Sequence, residues 1–136
     1  MSYDNSDRDD DLIDQYVGLE MAREHDAPES WPVEAMRTIV SMEPDRAWRI
    51  LKEIIRKAPD ELLPRIAVRE LEEFVKLHGS EFVSEIEAQA KTDPGFRYAL
   101  GEVWISKGRL PRDIENRLIA ASNGVLTVLD PDEKDE

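Results

Sequence analysis

Proline placement constrains this chain more than any other sequence feature. A proline inside a helix removes a backbone donor, whereas one in the first turn removes nothing that was in use. Several prolines here fall at the second kind of position. Pro44 opens a segment with Asp45 beside it, and Ala47, Trp48, Leu51, Ile54, Ile55 and Ala58 follow at i, i+1, i+4, i+7, i+8 and i+11. That spacing puts all of these apolar side chains on one helical face. Pro59 then stops the segment, because the residue before a proline avoids helical angles.

The same punctuation recurs along the chain. An earlier amphipathic segment, residues 10–24, carries Leu12, Ile13, Tyr16, Val17 and Leu19 at helical spacing, with aspartates ahead of it where the helix dipole favours negative charge. His25-Asp26-Ala27-Pro28-Glu29 breaks it. Ser30 is placed to cap a second helix, with Pro32 in its first turn and Val33, Met36, Ile39 and Val40 inward. Asp60 can cap a fourth, in which Leu63, Ile66, Ala67, Leu71, Phe74 and Val75 face the core. Pro64 lies close enough to that start to be tolerated, a short helix ending before it being the alternative, and Val68-Arg69 marks a break within the segment. His78-Gly79-Ser80 reads as a stop followed by a start, with Gly79 taking left-handed angles and Ser80 capping a fifth helix built on Phe82, Val83, Ile86 and Ala90. Asp93-Pro94 opens a sixth, whose inward positions are Phe96, Ala99, Leu100, Val103 and Trp104 and which runs to Gly108. Pro111 opens a seventh with Ile114, Leu118 and Ile119 inward, closed by Asn123-Gly124. Val125-Leu126-Thr127-Val128-Leu129 is strand-like but has no partner segment, so it is expected to pack on the helices as an extended tail.

The expected fold is all-α, with about seven short antiparallel helices in a compact stack of helical hairpins or an irregular bundle. The short connections favour antiparallel neighbours. At 136 residues the chain fits one domain. The expected organisation is an acidic disordered N-terminus over 1–9, a single helical domain over 10–123, and a C-terminal tail over 124–136 that is acidic and disordered from 130.

The net charge of −13 belongs mainly to the ends. Residues 1–30 hold ten acids against Arg8 and Arg23, and residues 124–136 hold five against Lys134, whereas residues 31–123 balance sixteen acids with fifteen bases. Phosphate backbones need a clustered basic surface, so direct nucleic-acid binding is disfavoured. Acidic ends serve solubility in most proteins, and the sharper reading is that Asp7, Asp9, Asp10, Asp11 and Asp14 steer a basic partner. Cysteine is absent, which excludes disulfide and thiolate chemistry. The acidic N-terminus lacks the pattern of a signal peptide and no apolar run reaches the length of a membrane span, so no membrane association and a cytoplasmic location are expected.

The sequence carries few signs of chemistry. The two histidines, His25 and His78, lack a Glu or Asp three or four residues before them, which removes the Glu-x-x-His and His-Glu-x-x-His metal patterns. Asp7-x-Asp9-x-Asp11 imitates the opening of a calcium loop, but Leu12 and Gly18 stand where glycine and glutamate are required. Phosphate-cradling glycine loops and a Gly-x-Ser-x-Gly elbow are missing. Carboxylate pairs such as Glu81 with Glu85 and Glu70 with Glu73 arise by chance in a chain with 31 acids and read as solvated faces. His78 is expected to lie against the C-terminus of its own helix. No catalytic residue, cofactor or metal is therefore expected. Trp48 and Trp104 read as core, and Trp31, beside a proline at a helix start, as the tryptophan at the surface. Arg97 reads as an ion-pair partner or as an anion or partner contact. The candidate partner contacts are thus Asp9, Asp10, Asp11, Asp14, Trp31 and Arg97.

The segments Pro44-Asp45-Arg46-Ala47-Trp48, Glu53-Ile54-Ile55-Arg56-Lys57-Ala58-Pro59-Asp60, Leu71-Glu72, His78-Gly79, Asp93-Pro94, Phe96-Arg97, Ala99-Leu100 and Val103-Trp104 together resemble an uncharacterised bacterial family of small helical proteins, a domain of unknown function. The likeness covers about residues 30–120, and the chain departs from it at Arg69 and Glu70, where the family usually carries small residues. The resemblance implies a bacterial all-α protein and carries no activity. The leading functional expectation is a protein-interaction module without catalysis, an immunity- or antitoxin-like protein that neutralises a basic partner. The alternatives are a small enzyme with a site of scattered Glu, Arg and His, and a scaffold or oligomer subunit; the oligomeric state is open.

Overall fold

A computed structural model describes residues 5–22 and 31–129. The fold is all-α apart from one very small sheet. Its helices are α1 (Asn5–Ala22), α2 (Trp31–Met42), α3 (Pro44–Lys57), α4 (Leu63–Ile66), α5 (Glu72–Thr92), α6 (Pro94–Gly101) and α7 (Arg112–Ala121). A 3-10 turn, Asp60–Leu62, leads into α4, and a π-helical turn, Ala67–Leu71, joins α4 to α5. Strands β1 (Trp104–Ser106) and β2 (Thr127–Leu129) complete the order. Helix α1 begins inside the stretch expected to be disordered; residues 1–4 and 130–136, the break at 25–29 and the Ser30 cap lie outside the described residues. Among the described residues no helix is long and apolar enough to cross a membrane.

The stripe of α3 forms the centre. Ala47, Trp48, Leu51, Ile54, Ile55 and Ala58 are all buried. The Trp48 ring stacks on Phe74 of α5 at 5.7 Å between centroids and meets Phe96 of α6 edge-on at 5.5 Å. Phe82 lies 6.1 Å away. This aromatic cluster joins three helices, and each such ring contributes about 1.5–3 kcal/mol by leaving water. Pro44 occupies the first turn of α3, Asp45 follows it, and Arg56 and Lys57 close the helix where the dipole favours cations.

Two helix ends follow from the residues expected to make them. The Asp93 carboxylate accepts the Phe96 N–H at 3.2 Å and caps α6. Asn123 takes left-handed angles (φ 59°) after α7. There the Asn123 N–H donates to the Ala120 carbonyl at 3.0 Å and the Gly124 N–H to that of Ile119 at 2.8 Å, the paired bonds of a Schellman end.

Three expectations are corrected. His78-Gly79-Ser80 does not divide two helices, because α5 runs straight through it. Gly79 is there for closeness: a Cβ would stand 3.3 Å from the Leu110 side chain and 3.4 Å from Val75. His78 does not serve its own helix end. Its Nε2–H donates to the Val40 carbonyl of α2 at 2.8 Å. That carbonyl lacks an i+4 donor because the residue four ahead is Pro44, which has no N–H.

The third correction concerns the C-terminal part. Helix α6 ends at Gly101, and Trp104, expected in the core, lies on β1 and is 53% exposed. The strand-like piece after Gly124 does have a partner: β2 pairs with β1 in parallel, with Trp104 opposite Thr127 and Ser106 opposite Leu129. Parallel strands need a crossover, and α7 provides it. Glu72 of α5 anchors the unit by accepting the Trp104 N–H at 2.9 Å.

Candidate functional site

The predicted partner contacts separate into three environments. Asp9 lies on α1 with only 2% of its surface exposed. Its carboxylate receives Arg46 at 2.7 Å and Arg49 at 2.5 Å, both from α3. Burial raises the Asp9 carboxyl, and the hydrogen bonds and charges of the two arginines outweigh that, holding it below the usual aspartate value. Asp9 therefore joins α1 to α3 and does not present a charge to a partner, a correction to its expected role. Asp10, Asp11 and Asp14 face water, with Asp14 3.2 Å from Lys57.

Beside that ion pair a groove of about 480 Å³ opens between α1, α2 and α3. Leu12 and Ile39 contribute apolar walls, and Asp11, Glu43 and Arg46 the charged ones. Arg46 is already engaged by Asp9 and by Glu43 at 3.2 Å, so the groove's available charge is acidic. Trp31, Ala35, Thr38 and Met42 stand at i, i+4, i+7 and i+11 along α2, the spacing of one helical face. Trp31 is 53% exposed, as its position suggested, and Met42 is exposed at the other end of the row.

A second cleft, about 470 Å³, lies between α2 and the π-helical turn. Arg37, Val40 and Ser41 line one side, Arg69, Glu70, Glu73 and Leu77 the other. Glu70 is buried, and the hydroxyl of fully buried Tyr16 donates a hydrogen bond to its carboxylate. Sequence reasoning placed the Glu70–Glu73 pair on a solvated face. The signal against that was available: Glu70 shares the spacing of Ile66, Ala67, Leu71 and Phe74, so it occupies a core position and requires a partner. The break expected at Val68-Arg69 does not form: the backbone stays helical from Leu63 through Thr92, widening only into the π-helical turn. Glu81 and Glu85 are exposed on α5. Among the described residues there is no group of three or more His, Cys, Asp or Glu arranged to hold a metal ion.

Arg97 belongs to a third site, a groove of about 560 Å³ between α5, α6 and α7. Glu87, Lys91 and Arg117 supply its other charges, and Ala88, Ala120 and Ala121 its small apolar surfaces. Arg117 holds Glu87 through two bonds, at 2.5 and 3.0 Å. Those bonds, more than the opposing effect of burial, lower the Glu87 carboxyl.

Helices and grooves of this kind define a small all-α domain with surface sites. The chain belongs to a family of unknown function, DUF6869, whose model matches residues 20–125. No curated protein and no solved structure matches it.

Proposed function

We propose that this chain is a protein-interaction module, an immunity- or antitoxin-like protein that receives a basic partner on the α1–α2–α3 face. The observation that carries the reading is Trp31, half exposed on an apolar row of α2 beside a groove whose arginine is already neutralised. Exposed tryptophan is the residue most often found at the energetic centre of protein interfaces. Asp11 lines the same groove, and Asp10 and Asp14 are exposed on the same helix α1, negative charge that suits a basic amphipathic helix laid along Trp31, Ala35, Thr38 and Met42. His78 and Asp9, two of the groups with the most chemical potential, are engaged in structural bonds. A bacterial origin and a cytoplasmic setting belong to the same reading, supported by the resemblance above and by the absence of cysteine.

The test is capture of a partner from host extract with the wild-type chain, Trp31→Ala and Asp10→Asn/Asp11→Asn/Asp14→Asn. Expected is a basic protein whose capture disappears with Trp31→Ala and whose association slows with the triple variant and with salt. Capture indifferent to all three changes overturns the reading, and a second copy of the chain bound through Trp31 would replace it with a scaffold subunit.

A second reading rests on a specific observation, the buried Tyr16–Glu70 pair facing a cleft that also carries Arg37 and Arg69. Buried carboxylates and π-helical turns both concentrate at functional sites. A small enzyme working there would lose turnover on Glu70→Gln while keeping partner capture.

A further inference from the structure

We propose that the groove between α5, α6 and α7 binds a small organic phosphate monoester, with Arg97 as its principal contact. The proposal is independent of the α1–α2–α3 face. Arg97 is partly buried, so its guanidinium has given up part of its water. Among the described residues it has no acidic, aromatic or hydrogen-bonding partner. The other partly buried cations do: Arg46 has Asp9, Lys76 has Glu72, Arg117 has Glu87, Lys52 lies over the Trp48 ring, and Arg69 is also engaged. In a chain with 31 acids against 18 bases, a partly buried arginine left without an acid is a departure, and an external anion would complete it.

The groove's charge specifies the anion. Among the lining residues Lys91, Arg97 and Arg117 stand against Glu87, with Asp113 also acting on Arg117 from outside the groove, which leaves Lys91 and Arg97 as a positive surplus on a molecule whose net charge is −13. A carboxylate offers one negative charge, whereas a phosphate monoester carries about −1.5 to −2 near neutral pH with three acceptor oxygens. Arg97 can meet two of those oxygens through its planar fork, Lys91 supplies a point charge, and the Asn123 side chain lines the same groove with an amide donor. Arg117 is held in place by its two bonds to Glu87, so Arg97 and Lys91 carry the groove's free charge. Ala88, Ala120 and Ala121 keep the remaining wall low and apolar, which suits a carbon skeleton attached to the phosphate. The volume, about 560 Å³, is that of a small-molecule site.

The experiment titrates the full-length, isotope-labelled chain with phenyl phosphate, inorganic phosphate and benzoate at constant ionic strength, following backbone amides by NMR. Wild type is compared with Arg97→Gln and with Arg112→Gln, which removes an exposed arginine outside the groove. Saturable shifts at Ala88, Ala121 and Asn123 are expected with phenyl phosphate. Affinity should fall about tenfold or more in Arg97→Gln, the equivalent of one charge-assisted contact, and hold in Arg112→Gln. The unliganded spectrum of Arg97→Gln reports that the variant is folded. No saturable shift in the wild type, or equal titration of wild type and Arg97→Gln, overturns the site. Inorganic phosphate binding as tightly as phenyl phosphate overturns the organic monoester, and benzoate binding as tightly overturns the dianion.

Discussion

The two ends of the molecule treat charge in opposite ways. Between α1 and α3 the cations are fully used: Asp9 alone holds Arg46 and Arg49, Glu43 adds to Arg46, and Asp14 takes Lys57. The negative charge left over there sits on side chains that face water. In the groove between α5, α6 and α7 the acid is used instead, with Glu87 committed to Arg117, and Lys91 and Arg97 leave its lining with a positive surplus. A nearly neutral helical body can thus carry two surfaces of opposite preference. Total charge conceals this, and only the pairing exposes it.

The largest expected effect sharpens what the two ends share. Trp48→Ala removes the ring that joins α3 to α5 and α6 and should cost about 3–5 kcal/mol, the range for aromatic truncations in cores. Urea unfolding followed by far-ultraviolet dichroism should still show one transition, moved to lower denaturant; two separate transitions would mean that the ends fold apart.

Asp9→Asn comes next and acts on one end alone. It leaves two arginines without their shared carboxylate, and because Arg49 is largely exposed the cost should be about 1–3 kcal/mol, below that of a fully buried pair. The pH dependence has a definite sign. The folded-state carboxyl of Asp9 is depressed, so its contribution is complete above the unfolded value near 3.8 and is lost as pH falls through the lower folded value. Stability curves of wild type and variant, measured by denaturant unfolding, should therefore converge in acid. A constant gap down to the lowest pH at which both fold would show that Asp9 acts through packing and not through charge.

Asn123 probes the other end more gently. Asn123→Ala places an ordinary side chain at φ 59° and should cost about 1 kcal/mol, whereas Asn123→Gly should be neutral or stabilising. Melting temperatures decide it, and equal values for the two variants would remove the left-handed angle as the cause. Trp31→Ala is the smallest in stability, within about 0.5 kcal/mol because the ring is half exposed. A larger loss would mean that Trp31 is holding the fold, which would sever the acidic face from its proposed role.

Helix identity was legible wherever a cap or proline stood beside a periodic stripe, as at Pro44 and Asp93, because the starts of those segments are set by neighbouring residues. The misreadings came from information held far along the chain. Gly79 looks like a terminator until Leu110 is beside it, and Trp104 looks helical until a strand more than twenty residues later supplies its partner. A parallel pair separated by a helix leaves no hairpin signal. At the candidate sites, the exposure of Trp31 was legible in its local sequence, whereas the ion pair read for Arg97 is not formed among the described residues: Asp93, four residues before it, caps the helix instead. The fate of Asp9 was not legible, because nothing in an aspartate-rich run distinguishes the member that will meet two arginines on α3.

The bond between His78 and the Val40 carbonyl shows how one residue's deficit becomes another's specification. Pro44 brings no proton, and a side chain on a different helix delivers it. The two positions therefore form a unit in any redesign: a residue with its own N–H at 44 would compete for that carbonyl and release the imidazole. Changing either alone breaks a match that neither local stretch reveals, so sequences that vary here should vary in concert, and a ledger of substitutions made one at a time would misstate what each is worth.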